Sequence, residues 1–158
     1  MSKGKKHHYE ISMVWTGATE GPAKDYHTYS REHRFEAPGK PPLIGSADPA
    51  FRGDAGQYNP EELLLAALSG CHMLWYLHLC TAKKITVVSY EDHVEGMMTE
   101  EPRAGRFVEA TIKPTVTIAA GDDVALAVEL HERAHSECFI ANSVNFPIHC
   151  EPTIQTQD

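Results

Sequence analysis

Apolar and polar residues alternate at the start of the chain. Tyr9, Ile11, Met13 and Trp15 share one face of residues 9–16, the period-two signature of a strand. A turn-forming stretch, GATEGPAKD, follows, and residues 26–35 predict a return strand, so the chain opens with a hairpin. Residues 36–58 are rich in Pro, Gly and Asp and predict a long loop; loops of that length inside a compact domain are more often functional than idle. Asn59, Pro60 and Glu62 form a capping-box start, and the helix they open runs to about Thr81–Lys84, where two lysines suit its negative end. That helix is apolar on nearly every face, as expected of one buried at the centre of a protein.

Two strands are predicted next, over residues 85–95 and 106–118. In the second, Val108, Ala110, Ile112, Val116 and Ile118 share a face, and Pro114 marks it as an edge or bulged strand. A second helix, residues 122–135, carries Val124, Ala127, Val128, Leu130 and Ala134 as its apolar stripe. A short helical piece at 137–144 and a last strand at 146–154 complete the order ββαββααβ. The class is α+β. Neither a repeat nor a linker divides the chain, so residues 1–158 are expected to form one domain.

Composition narrows the partners. The formal net charge is −8, which argues against nucleic acid and against an anionic membrane surface. The start, MSKGKKHH, has no apolar segment behind it and predicts no signal peptide. Residues 63–80 have the length of a membrane span, but Ser69, Gly70, His72 and His78 interrupt them. Four cysteines, Cys71, Cys80, Cys138 and Cys150, are too few and too scattered for a disulfide scaffold. A reducing, cytoplasmic setting with catalytic, metal-binding or buried thiols is the expectation.

Cys71, at mid-helix, is the centre of the chemistry. A buried, space-filling cysteine is the plain reading; a reactive one needs a cation, because mid-helix supplies no dipole end. Ser69 and Gly70 leave room for another element to bring that cation, and Arg31, Arg34 and Arg52 are the candidates. Glu61, not needed by the capping box, would hold an arginine through a forked ion pair or simply complement the helix dipole. It precedes Cys71 by about 15 Å of helix, so two such helices packed antiparallel in a dimer would set the Glu61 of one beside the Cys71 of the other. If a short helix begins at Cys138, its amides would lower that thiol's pKa. Cys80 and Cys150 read as structural. A metal site drawn from Cys71, His72, Cys138, His149 and Cys150 lacks C-x-x-C or H-x-x-x-H spacing, and neither metal nor cofactor is called for. His72, His78, His131 and His135 read as packed or surface histidines.

The two motifs NPEELLLAALSGC and AHSECFIANSV resemble the osmotically inducible protein C / organic hydroperoxide resistance (OsmC/Ohr) family, and the resemblance covers nearly the whole chain. It implies an intertwined homodimer with sites at the interface, and a thiol-dependent peroxidase acting on organic hydroperoxides in oxidative-stress defence. Carried over, Cys71 is the peroxidatic cysteine, Cys138 the resolving cysteine that forms a disulfide with it, and Glu61 the carboxylate that orients an arginine. Arg52 is chosen as that arginine over Arg34. A small dithiol or a protein thiol would be the reductant. Two departures bear on substrate range: Phe139 stands where family members often have proline, and the 36–58 loop is extended. Apolar residues near Cys71 (Leu68, Met73, Leu74, Trp75) favour greasy hydroperoxides. The alternative is a dimeric binding or redox-sensing protein with an apolar interface groove and no turnover.

Overall fold

A computed structural model describes residues 4–102 and 104–158; the first three residues of the basic start lie outside them. The chain divides into two compact units, Met1–Leu63 and Leu64–Asp158.

In the first unit, β1 (Ser12–Val14), β2 (His33–Glu36) and β3 (Leu43–Gly45) form an antiparallel sheet in chain order. The predicted hairpin is present, with shorter strands, and a 3₁₀ turn over Thr16–Glu20 lies between them. The loop expected over 36–58 hides β3, since its three residues are too few for alternation to register. The same stretch contains a second 3₁₀ turn, Pro49–Phe51, closed by Asp48. The Asp48 carboxylate accepts from the Ala50 amide at 2.6 Å, and its carbonyl accepts from Phe51 and Gly53. Arg52 caps this turn in the left-handed conformation, φ 66°, where a non-glycine residue costs about 1–2 kcal/mol. A Cβ on Gly53 would run into the Ala47 backbone, so the next position must be glycine.

The helix α1 (Pro60–Ala82) begins in the first unit and forms the spine of the second. Its capping box is as predicted: the Glu62 amide donates to Asn59 Oδ1 at 2.8 Å, and the Asn59 amide donates to Glu62 Oε2 at 3.1 Å. The helix is long and apolar enough to cross a membrane, but Leu68, His72, Tyr76, Leu79 and Cys80 are buried. Their 4–4–3–1 spacing is that of one helical face turned into a core.

Long antiparallel strands β4 (Val87–Glu101) and β5 (Ala104–Ile118) follow. They outrun the predicted strands because their distal ends form an exposed ribbon without an alternating pattern. Along β5, Ala110, Ile112, Pro114, Val116 and Ile118 are buried in strict alternation. After α2 (Val124–Glu137), β6 (Ile148–Cys150) and β7 (Thr153–Thr156) add in parallel along the other edge of β5. Thus β5 is central, contrary to the edge reading. Pro114 is tolerated because it falls opposite the break between β6, which pairs with 110–112, and β7, which pairs with 115–118. Tyr76, Leu79, Cys80, Ile85, Val116, Ile118, Ala127, Leu130 and Ala134 form the core. On α2 the predicted stripe shifts: Val124 and Val128 are exposed, whereas His131 is buried.

Candidate functional site

Cys71 is half-buried on α1, and Cys138 is buried where α2 ends. Although 67 residues separate them in sequence, the two thiols are near enough for Cys71 to raise the pKa of Cys138. The 3₁₀ turn Ala141–Ser143 follows, and the Ala141 amide donates to Cys138 Sγ at 3.4 Å. The predicted effect of such amides is real but loses. Burial, helped by the neighbouring Cys71, pushes the Cys138 thiol up to about 11 against the pull of the Ala141 and Ile140 amides. One short turn supplies a weaker field than the desolvation it opposes. Cys138 therefore holds its proton beside Cys71.

The surroundings are aromatic and partly open. Phe139 is 65% exposed and meets Trp75 edge-on at 5.5 Å. Leu74, also 65% exposed, lines with Trp75 and His78 a depression of about 310 Å³. Leu68 belongs elsewhere, being 2% exposed in the core. Ser69 was expected to leave room for a cation, but its hydroxyl donates to Asp92 Oδ2 at 2.6 Å. Beside it Gly70 opens onto free space among the described residues, for a Cβ there would meet nothing within 4 Å.

Arg52 and Glu61 lie in the first unit. Arg31 is held between two rings, its guanidinium 3.8 Å from the Tyr29 centroid and 4.8 Å from that of Tyr26. It also donates to both their carbonyls. Arg34 pairs with Glu36 at 2.7 Å. Arg52 makes one bond, to the His27 carbonyl at 3.3 Å, and with Arg31 borders a cavity of about 360 Å³ that Glu32 and Asp54 also line. Among the described residues, Arg52 and Arg34 each have one polar contact, whereas Arg31 is held by two carbonyls and two rings. Glu61 is half-buried and has no ion pair among the described residues.

On the inner face of α1 the structure joins His72 and Cys150, two members of the metal set weighed from the sequence, to His131, which that set left out. His72 Nε2 and His131 Nδ1 are 2.9 Å apart, and Cys150 Sγ is 3.8 Å from His72 Nε2. Burial holds both imidazoles well below their usual range, His72 at about 4 and His131 at about 3, each lowered further by a neighbouring histidine. Burial likewise pushes Cys150 up to about 12. Cys80 is raised by burial too, as expected of a structural thiol. No local spacing links 72, 131 and 150; only the packing of α1, α2 and β6 does. The one available sequence signal was His131, four residues before His135 and one after Leu130, on the buried side of α2.

Residues 53–153 match the family described as OsmC-like protein, and the chain belongs to that family. Among curated proteins it is similar to YmaD of Bacillus subtilis, a protein of uncharacterised role, 26% identical over 89 residues. That match spans 54% of this chain and 59% of YmaD. The fold is similar to that of an OsmC-like protein of unknown function from Vibrio cholerae, with TM-score 0.84 and 27% identity over 93% of this chain and 99% of that one. It is also similar to the organic hydroperoxide resistance protein OsmC of Legionella pneumophila, with TM-score 0.63 and 19% identity over 95% of this chain and 99% of that one. The α+β class and the OsmC-like fold are thereby established.

Proposed function

We propose that this chain is a thiol-dependent peroxidase that reduces organic hydroperoxides to alcohols. The observation that carries the reading is the nearness of Cys71 to Cys138, close enough to raise its pKa. Two thiols at the junction of two helices, one half-exposed and one buried behind it, are arranged for attack and then resolution. In the first step the Cys71 thiolate attacks the outer peroxide oxygen; the O–O bond breaks, the alcohol leaves with a proton, and Cys71 becomes a sulfenic acid. In the second, the Cys138 sulfur attacks the Cys71 sulfur, and water departs with the Cys138 proton. The net change is ROOH plus two thiols to ROH, water and one disulfide. A small dithiol or protein thiol of a cytoplasmic, reducing compartment restores the pair by exchange.

Arg52 is assigned to hold the Cys71 thiolate and the charge growing on the leaving oxygen, with Glu61 directing it. A single bond, to the His27 carbonyl, leaves its other donors available for this role. We place the complete site at the interface of a homodimer. A stripe on α1, exposed Ala66, Ala67 and Leu74 with half-buried Gly70 among them, supports that arrangement: these residues fall on one side of the helix, are small or apolar, and Gly70 leaves space for a second backbone. The Leu74–Trp75 depression and Phe139 favour an apolar substrate tail.

The test is peroxide consumption with cumene hydroperoxide and a dithiol, together with disulfide mapping. Turnover lost in Cys71→Ser, and a Cys71–Cys138 bridge in the oxidised native protein, are the expected results. Stoichiometric oxidation without turnover would instead make the protein a binding or redox-sensing dimer.

A further inference from the structure

Among the described residues, four buried side-chain nitrogen or oxygen atoms have no hydrogen-bond partner, and three belong to His72, Tyr90 and His131. These side chains are close together. The Tyr76 ring stacks on His131 at 3.8 Å, Tyr90 packs against Tyr76 at 6.0 Å, and His72 hydrogen-bonds to His131. Buried polar groups are ordinarily satisfied, and a buried pair of facing imidazoles with a thiol 3.8 Å away asks for an explanation that the peroxidase reading does not supply.

We propose that His72, His131 and Cys150 form a site for a thiophilic d¹⁰ metal ion, copper(I) or zinc(II). Their ligand atoms all lie within 4.8 Å of one another. Metal–nitrogen bonds of about 2.0–2.1 Å and a metal–sulfur bond of about 2.3 Å require ligand separations of about 3.3–3.8 Å. The sulfur stands 3.8 Å from His72 Nε2 already, and the two nitrogens, at 2.9 Å, need to part by about half an ångström. In their hydrogen bond, one of the two facing nitrogens must carry the proton and waste its lone pair. An ion uses both lone pairs, and the outer ring nitrogens then carry the protons.

The support is prearranged. The three ligands come from α1, α2 and β6, elements fixed by the core, and Tyr76 fixes the plane of the His131 ring. Cys150 is half-buried and borders a depression of about 440 Å³ shared with Glu132, His135, His149 and Glu151, whose carboxylates and imidazoles suit the entry of a cation. Binding expels the Cys150 proton, so that a thiolate and two neutral imidazoles face the ion. Imidazole with thiolate selects soft or borderline ions over magnesium or calcium. Three ligands complete copper(I) in a trigonal plane; zinc(II) would add a water from the Cys150 side.

The experiment uses the full chain carrying Cys71→Ser and Cys138→Ser, so that the outer thiol pair cannot contribute and the result is independent of peroxidase activity. Reduced protein competes with a chromophoric chelator for zinc(II) and, separately, for copper(I). One equivalent of either ion withdrawn per chain is the expected result. Affinity should then fall at least about a hundredfold in Cys150→Ser and in His131→Gln. Capture of copper alone fits the trigonal site, and capture of zinc alone the four-coordinate one. Cobalt(II) added to the protein with Cys150 intact should give a sulfur-to-metal charge-transfer band, a readout that needs no ligand variant to fold. Failure to compete for both ions, binding that Cys150→Ser leaves unchanged, or, where zinc is captured, absence of the cobalt band would overturn the site.

Discussion

Cys71 and His72 are consecutive on α1, and about 100° of helix rotation separates their surroundings. Cys71 is half-exposed and meets Cys138 beside an open aromatic depression. His72 is 1% exposed and meets His131 and Cys150 inside the fold. One helix therefore presents Cys71 toward an open depression and His72 toward a buried imidazole–thiol cluster. The difference shows that a cysteine's chemistry here is decided by the face it occupies. Desolvation suppresses the inner thiol, whereas the outer one keeps access to reagents.

The comparison breaks most directly on thiol reactivity. Cys150, pushed up to about 12 from 9.0 by burial, carries about a thousandfold less thiolate at neutral pH than an ordinary cysteine. Timed alkylation of the folded protein with peptide mapping should label Cys71 first and Cys150 far later, and denaturant should equalise them. Equal labelling in the folded state would erase the distinction between the two faces.

Acid tests the inner cluster. His72 and His131 have folded values of about 4 and 3, below the ordinary 6.5. The unfolded chain therefore binds more protons between those values. Their contribution to stability is complete above pH 6.5 and is lost as the pH falls toward 4 and 3. Denaturant midpoints measured from pH 7 to 4 should fall, and the fall should shrink in a His72→Asn, His131→Gln double variant.

A smaller effect concerns the support of that cluster. Tyr76 donates its hydroxyl to the Ala127 carbonyl at 3.1 Å inside the core, and Tyr76→Phe should cost about 1–3 kcal/mol by leaving that carbonyl unpaired. A variant as stable as the native protein in urea would show the bond to be dispensable. Smallest is the helix start that sets the direction of both faces. Asn59→Ala removes an acceptor from the Glu62 amide and should lower stability by about 1 kcal/mol, readable as a shift in thermal midpoint.

Much of this was legible in the residues. The capping box at Asn59, the alternation along β5 and the apolar periodicity of α2 are local signals, and they placed their elements to within a few residues. Short strands were less legible: β3 was hidden in the predicted loop and β6 and β7 were read as one strand over 146–154, because three or four residues each are too few for a period to emerge. The thiol pair was anticipated through family resemblance, since no periodicity joins positions 67 residues apart.

The chain by itself determined where its helices begin, which face of β5 is buried, and that a cysteine stands at mid-helix behind two small residues. These are consequences of nearest-neighbour backbone and side-chain preferences. Tertiary packing decided that Pro114 lies in a central strand, that Cys138 stays protonated despite the amides at its side, and that His72, His131 and Cys150 converge. Each of these depends on which distant groups exclude water from a given atom, and solvent exclusion belongs to the assembled fold.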